Sequence, residues 1–186
     1  MKNLSARLLV AGLAVLALTV AGITVRADAD DVSAVLRARL SSFNEVPPDA
    51  VGGTGTLDGT LNAAGDTITW TLTWDGLSGP PTAAHIHFAP VNVNGGVFTF
   101  FCGGGGKLPC PQTTSGSIDG TTNAADILGV AAQAFNPGDF ATALKILSLR
   151  EGYANMHTAK FPGGEIRGQV RIRVRDDDDN HNDDDK

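Results

Sequence analysis

Between Asp66 and Trp74, Thr67, Thr69, Thr71 and Thr73 alternate strictly with Ile68, Trp70, Leu72 and Trp74. A two-residue period of β-branched and aromatic residues belongs to a strand with one buried and one wet face, and fits no helix. Val32–Leu40 repeats it, with Val32, Ala34, Leu36, Ala38 and Leu40 turned inward and Arg37 and Arg39 outward. Thr54–Leu61 reads as a glycine-punctuated strand, and Asn62-Ala63-Ala64-Gly65-Asp66 as the hairpin connection that follows it. Ala83–Phe88, Val97–Phe101, Ser115–Ile118, Gly152–Thr158 and Glu165–Val174 each have strand length and flanking turn residues. About eight short strands in a chain with 23 glycines and few aromatics imply an all-β sandwich or barrel, with a Greek-key-like β-sandwich as the expected fold. One long connection departs from the pattern. In Ala124–Leu149, Ile127, Leu128, Ala131 and Ala132, then Phe140, Leu144 and Leu147, recur at helical spacing around Asn136-Pro137-Gly138, so one or two short helices are expected there.

The two ends read differently from the middle. Lys2 and Arg7, an apolar run from Leu8 to Ile23 and the small-x-small triplet Val25-Arg26-Ala27 form a secretory signal over 1–27, with the cut expected after Ala27. The alternative is a retained membrane anchor, since the run is about as long as the shortest spanning helices. With cleavage no stable span is left, and the protein is expected to be secreted or periplasmic, in either case extracytoplasmic. At the other end, 176–186 holds seven aspartates and nothing apolar to bury, which predicts an acidic disordered tail. The domain between, 28–175, carries 10 basic and 13 acidic groups, a charge of −3; the whole chain stands at −6. Such a balance excludes affinity built on phosphate contacts, so nucleic acid is not an expected partner. Cys102 and Cys110 are the only cysteines; in an oxidising compartment an even pair predicts a disulfide, and the eight-residue spacing argues against the alternative of a zinc-knuckle thiolate pair.

The chemistry-bearing feature is His85-Ile86-His87. On a strand both imidazoles share a face, and two neutral imidazoles on one face are a ready pair of metal ligands, although a His-x-His can also be no more than a polar strand face. His157, the only other histidine outside the tail, lies on the expected strand Gly152–Thr158, with Tyr153 and Asn155 on the same face. If these strands adjoin, three nitrogens converge and leave a coordination position open, the arrangement of a reactive site; otherwise His157 bonds a carbonyl in the core. Imidazole ligation predicts metal loss as pH falls below about 6. Glu165 and Arg167 share a strand face, so an ion pair is expected, although Glu165 or Glu45 could instead orient a histidine. Arg167, Arg171 and Arg173 also share a face continued by Arg175, which admits a plain solvated face. The Gly103–Gly106 run before Lys107 lacks the phosphate-loop spacing, and no Gly-x-Ser-x-Gly elbow or His-Glu-x-x-His helix is present.

Four motifs in order, Phe43-Asn44-Glu45-Val46-Pro47-Pro48, Ala83-Ala84-His85-Ile86-His87, Tyr153-Ala154-Asn155-Met156-His157-Thr158 and Phe161-Pro162-Gly163-Gly164-Glu165-Ile166-Arg167-Gly168-Gln169, resemble the CHRD domain, the module named after chordin. The resemblance runs from about Val32 to Val174. The chain has one copy and none of the cysteine-rich modules that accompany the domain in chordin, so a chordin-like signalling role does not transfer. A remoter similarity is to copper/zinc superoxide dismutases, exported β-sandwiches in which a His-x-His strand, a later strand histidine and a still later arginine surround copper. Carried over, it implies copper held by His85, His87 and His157, with Arg167 as the catalytic residue that attracts or steers a small anion such as superoxide. No histidine follows in the glycine-rich stretch, so the bridging ligand and zinc site have no counterpart and such an enzyme would be copper-only. The rival class is a non-enzymatic extracytoplasmic structural or protein-binding module, for which the sequence names no partner.

Overall fold

The computed structural model describes residues 32–174; the expected signal segment 1–27, residues 28–31, Arg175 and the expected acidic tail 176–186 lie outside them. Nine strands form the molecule: β1 Val32–Ser41, β2 Thr54–Asn62, β3 Ile68–Asp75, β4 Pro81–Phe88, β5 Gly96–Cys102, β6 Gly116–Thr122, β7 Gly152–Thr158, β8 Ile166–Gln169 and β9 Arg171–Val174, with one helix, α1, at Phe140–Ser148. All pairings are antiparallel, in the order β5-β4-β7-β8-β1-β2-β3-β6, with β9 also on β1. The sheet curls until its ends meet across the core, where Trp70 of β3 and Phe101 of β5 pack edge to face at 4.7 Å. This nearly closed sheet fits the expected all-β sandwich.

Alternation translates directly into packing. Ile68, Trp70, Leu72 and Trp74 of β3 are buried while the intervening threonines face out, and Leu57 and Leu72 are paired across the β2–β3 ladder. Gly120 of β6 makes the space for Trp70: a Cβ there would stand 2.5 Å from the indole. The indole Nε1–H donates to Thr122 Oγ1 at 3.0 Å, so the largest side chain of this face is buried with its polar atom satisfied. The β2–β3 turn is closed by Asn62, whose side-chain oxygen accepts from the N–H groups of Asp66 and Thr67. Cys102 and Cys110 are joined by a disulfide that closes the glycine-rich loop after β5.

One expectation needs correction. Glu165–Val174 is not a single strand. Buried Val170 interrupts it and donates its N–H to Gly152 O at 2.9 Å, so β8 runs along β7 while β9 runs along β1. Gly168 permits this passage, since a Cβ there would stand 2.3 Å from Arg39 O. The long connection holds one α-helix, α1, as the expected one or two short helices allow; it is capped by Asp139 and turns Phe140, Ala143, Ile146 and Leu147 into the core. The apolar residues around 127–132 instead lie near two single 3-10 turns, Ala124–Asp126 and Ala131–Gln133. Gly129, with φ +70, breaks the stretch, because the space its Cβ would occupy is filled by the Asn136–Pro137 backbone. No helix among the described residues is long and apolar enough to cross a membrane.

Candidate metal centre

β4 and β7 are neighbours, with Ala83 opposite His157, His85 opposite Asn155 and His87 opposite Tyr153. Opposed residues and residues two apart share a face, so the three histidines stand together on one side of the ladder. The other side carries Ala84, Ile86, Ala154 and Met156, all in the core. β4 also pairs with β5 through irregular register on both sides of His85-Ile86, and Phe100, opposite His85, packs edge-on against its ring at 4.9 Å. The His85 ring lies 4.6 Å from that of His87 and 4.5 Å from that of His157. One ligating nitrogen from each falls within 4.8 Å of the others. Nitrogens sharing a tetrahedral ion at about 2.0 Å lie roughly 3.3 Å apart, so the rings would draw closer on binding one.

Hydrogen bonding selects the ligand atoms. His87 Nδ1 donates to Gly95 O at 2.8 Å and His157 Nδ1 to Pro162 O at 3.0 Å. A carbonyl can only accept, so the proton of each ring sits on Nδ1 and Nε2 keeps its lone pair. His87 Nε2, His157 Nε2 and His85 Nδ1 are shielded from solvent and have no hydrogen-bond partner. An unpaired buried polar atom costs about 1–3 kcal/mol. Three such atoms side by side form a site that a shared cation would satisfy at once. Burial, reinforced by the two neighbouring rings, pushes His85 down to about 2; burial pushes His87 to about 4 against the upward pull of the Gly95 hydrogen bond, and burial also lowers His157. All three imidazoles are therefore neutral at neutral pH, the form that ligates.

Arg167 takes a different place from the one expected. It is only 2% exposed, whereas Arg171 and Arg173 beyond the Val170 break face solvent. Its guanidinium donates to Asn94 Oδ1 at 3.0 Å, Val93 O at 2.8 Å and Pro90 O at 3.2 Å, and lies 3.4 Å from the centre of the Tyr153 ring. Tyr153 in turn stacks on His87 at 4.5 Å, nearly parallel. Arg167 thus grips the Ala89–Gly95 loop and is not part of a solvated arginine face.

The expected Glu165–Arg167 ion pair is absent. Glu165 precedes β8 and follows Gly164 at φ +128, so the two-residue period does not reach it. Its carboxylate accepts from Ser78 N and Ser78 Oγ at 2.6 Å and from Thr158 Oγ1 at 2.5 Å. Glu45 is also buried and accepts from Asn155 Nδ2 at 2.6 Å. Burial raises its carboxyl to about 7, opposed by the Asn155 hydrogen bond and by Arg167. The partners of His87 and His157 Nδ1 are main-chain carbonyls, so neither glutamate is the acceptor considered from the sequence. Gly95, Pro162, Asn94 and Phe100 carried no sequence signal as site residues, although Pro162 falls inside one of the quoted motifs.

A nearly closed antiparallel sheet with a three-histidine cluster on its outer face defines the class. A family model, the CHRD domain, matches residues 36–170, and the chain belongs to that family. No curated protein and no solved structure matches it. The similarity to copper/zinc superoxide dismutases rests on residue order alone.

Proposed function

We propose that this CHRD-domain protein is exported and binds one transition-metal ion, copper, through His85 Nδ1, His87 Nε2 and His157 Nε2. The observation that carries this reading is that three histidines, each with a solvent-shielded, unpartnered nitrogen, can offer ligand atoms within 4.8 Å of one another. Copper is favoured because the donors are all imidazole and because it binds most tightly of the first-row divalent ions. Export is supported by the signal-like residues 1–27 and by the disulfide, which persists in oxidising compartments. Bound copper would supply one-electron redox chemistry, and superoxide removal is the enzymatic extension of the reading. The chain's own residues hold the ligand rings neutral and oriented, and any pull of Arg167 on a small anion would act from its place against Tyr153 and the Ala89–Gly95 loop.

The test is metal analysis and copper spectroscopy on untagged protein after copper loading and dialysis, repeated on single His→Ala variants. One copper per chain, lost in each variant, is expected. A folded wild-type protein that stays metal-free would overturn the reading and leave a non-enzymatic extracytoplasmic structural or binding module. With copper bound, superoxide removal no faster than that of control protein would restrict the role to holding the metal.

A further inference from the structure

We propose that Tyr153 and Arg167 are positioning residues that fix the ring of His87, an inference that rests on the three-histidine metal reading and adds a specific division of labour to it. His87 is supported at two places. Its face is covered by Tyr153, its opposite number across the β4–β7 ladder, at 4.5 Å and 10°. Its edge is pinned where Nδ1 donates to Gly95 O at 2.8 Å. Both supports lead back to Arg167. From β8, on the far side of β7, the guanidinium lies 3.4 Å from the centre of the Tyr153 ring. It also holds the loop that ends in Gly95, through Pro90 O, Val93 O and Asn94 Oδ1.

The geometry of the loop explains why so many anchors converge on it. A Cβ at Gly95 would stand 1.9 Å from Phe88 O, so the chain passes very close to the end of β4 and the Gly95 carbonyl has little latitude. Asn94 adds a bond from its amide to Val46 O at 3.3 Å. His157 needs no such apparatus, because its acceptor, Pro162 O, lies five residues away in the connection that leaves its own strand, β7. His85 is held by burial, at 6% exposure, against Phe100. His87 is the ligand whose acceptor comes from a separate loop, and Arg167 supplies the tie between that loop and the sheet. A planar guanidinium suits this task because it can stack on a ring and donate along its edges at once, which an ammonium cannot.

The experiment has two readouts, one without metal. In the metal-free wild-type chain, histidine nitrogen NMR is expected to show His87 in a single tautomer with the proton on Nδ1. In Arg167→Met and Tyr153→Leu, His87 is expected to become a mixture of tautomers while His157 keeps its Nδ1 proton. Titration with copper(II) chloride against a competing chelator should then give affinities weakened about 10- to 100-fold, the usual effect of removing support behind a ligand, with Tyr153→Phe within about 3-fold of wild type because the ring is kept. Asn94→Ala, at an exposed position, removes one loop anchor and should move both readouts in the same direction even if the buried variants do not fold. A sharp, unchanged His87 tautomer in Asn94→Ala and in whichever buried variants fold would overturn the proposal. A wild type that takes no copper but shows the tautomer changes would instead remove the metal reading and leave the positioning role standing.

Discussion

Glu45→Gln isolates the energetic consequence of burying a carboxyl beside the site. Glu45 is 7% exposed, accepts from Asn155 Nδ2 at 2.6 Å and is raised from its ordinary 4.5 to about 7, chiefly by burial. Between those two values the folded chain holds a proton that the unfolded chain has released, so stability falls as pH rises through the window. The full rise corresponds to about 3 kcal/mol. Glutamine keeps an oxygen to accept from Asn155 but cannot ionise. The variant and the wild type should therefore be equally stable near pH 4.5, and the variant should be more stable by up to about 3 kcal/mol above pH 7. Urea denaturation of both metal-free proteins at several pH values measures the difference, in which the histidine contributions common to both cancel. A gap that does not change with pH, or one in which wild type gains on the variant as pH rises, would refute the assignment of Glu45 as a neutral buried acid.

Three further outcomes are expected. Since His85 and His87 are depressed to about 2 and about 4, with His157 also lowered, protons compete for the ligand nitrogens only at low pH. Copper should be released at a lower pH than the value near 6 that ordinary imidazoles imply, as followed by chelator competition; the metal-free protein should lose stability as pH falls from 6.5, by about 1.4 kcal/mol per pH unit for each ring that stays neutral in the folded state. Gly164→Ala places a Cβ 2.8 Å from Asn155 Nδ2 and from both Glu45 carboxylate oxygens at φ +128, and should lower stability by at least about 2 kcal/mol in thermal or urea unfolding.

The strands of this protein were readable because each carries its own period, and the two-residue spacing of His85 and His87 already placed both rings on one face. Adjacency of β4 and β7 was not readable, since nearly seventy residues separate His87 from His157 and no local pattern encodes the pairing. The carbonyls of Gly95 and Pro162 were invisible for a different reason: a main-chain acceptor has no residue signature. Parity misled where the backbone resets it. The positive φ of Gly164 takes Glu165 out of register with Arg167, and the break at Val170 separates buried Arg167 from solvent-facing Arg171 and Arg173. In the long connection, Gly129 interrupts apolar residues whose spacing alone read as helix.

Because Ala84, Ile86, Ala154 and Met156 occupy one side of β4 and β7 while the imidazoles occupy the other, the interior is assembled from residues on the face away from the histidines. If that outer face does take a metal, as proposed, the polypeptide has no need of it to acquire its shape.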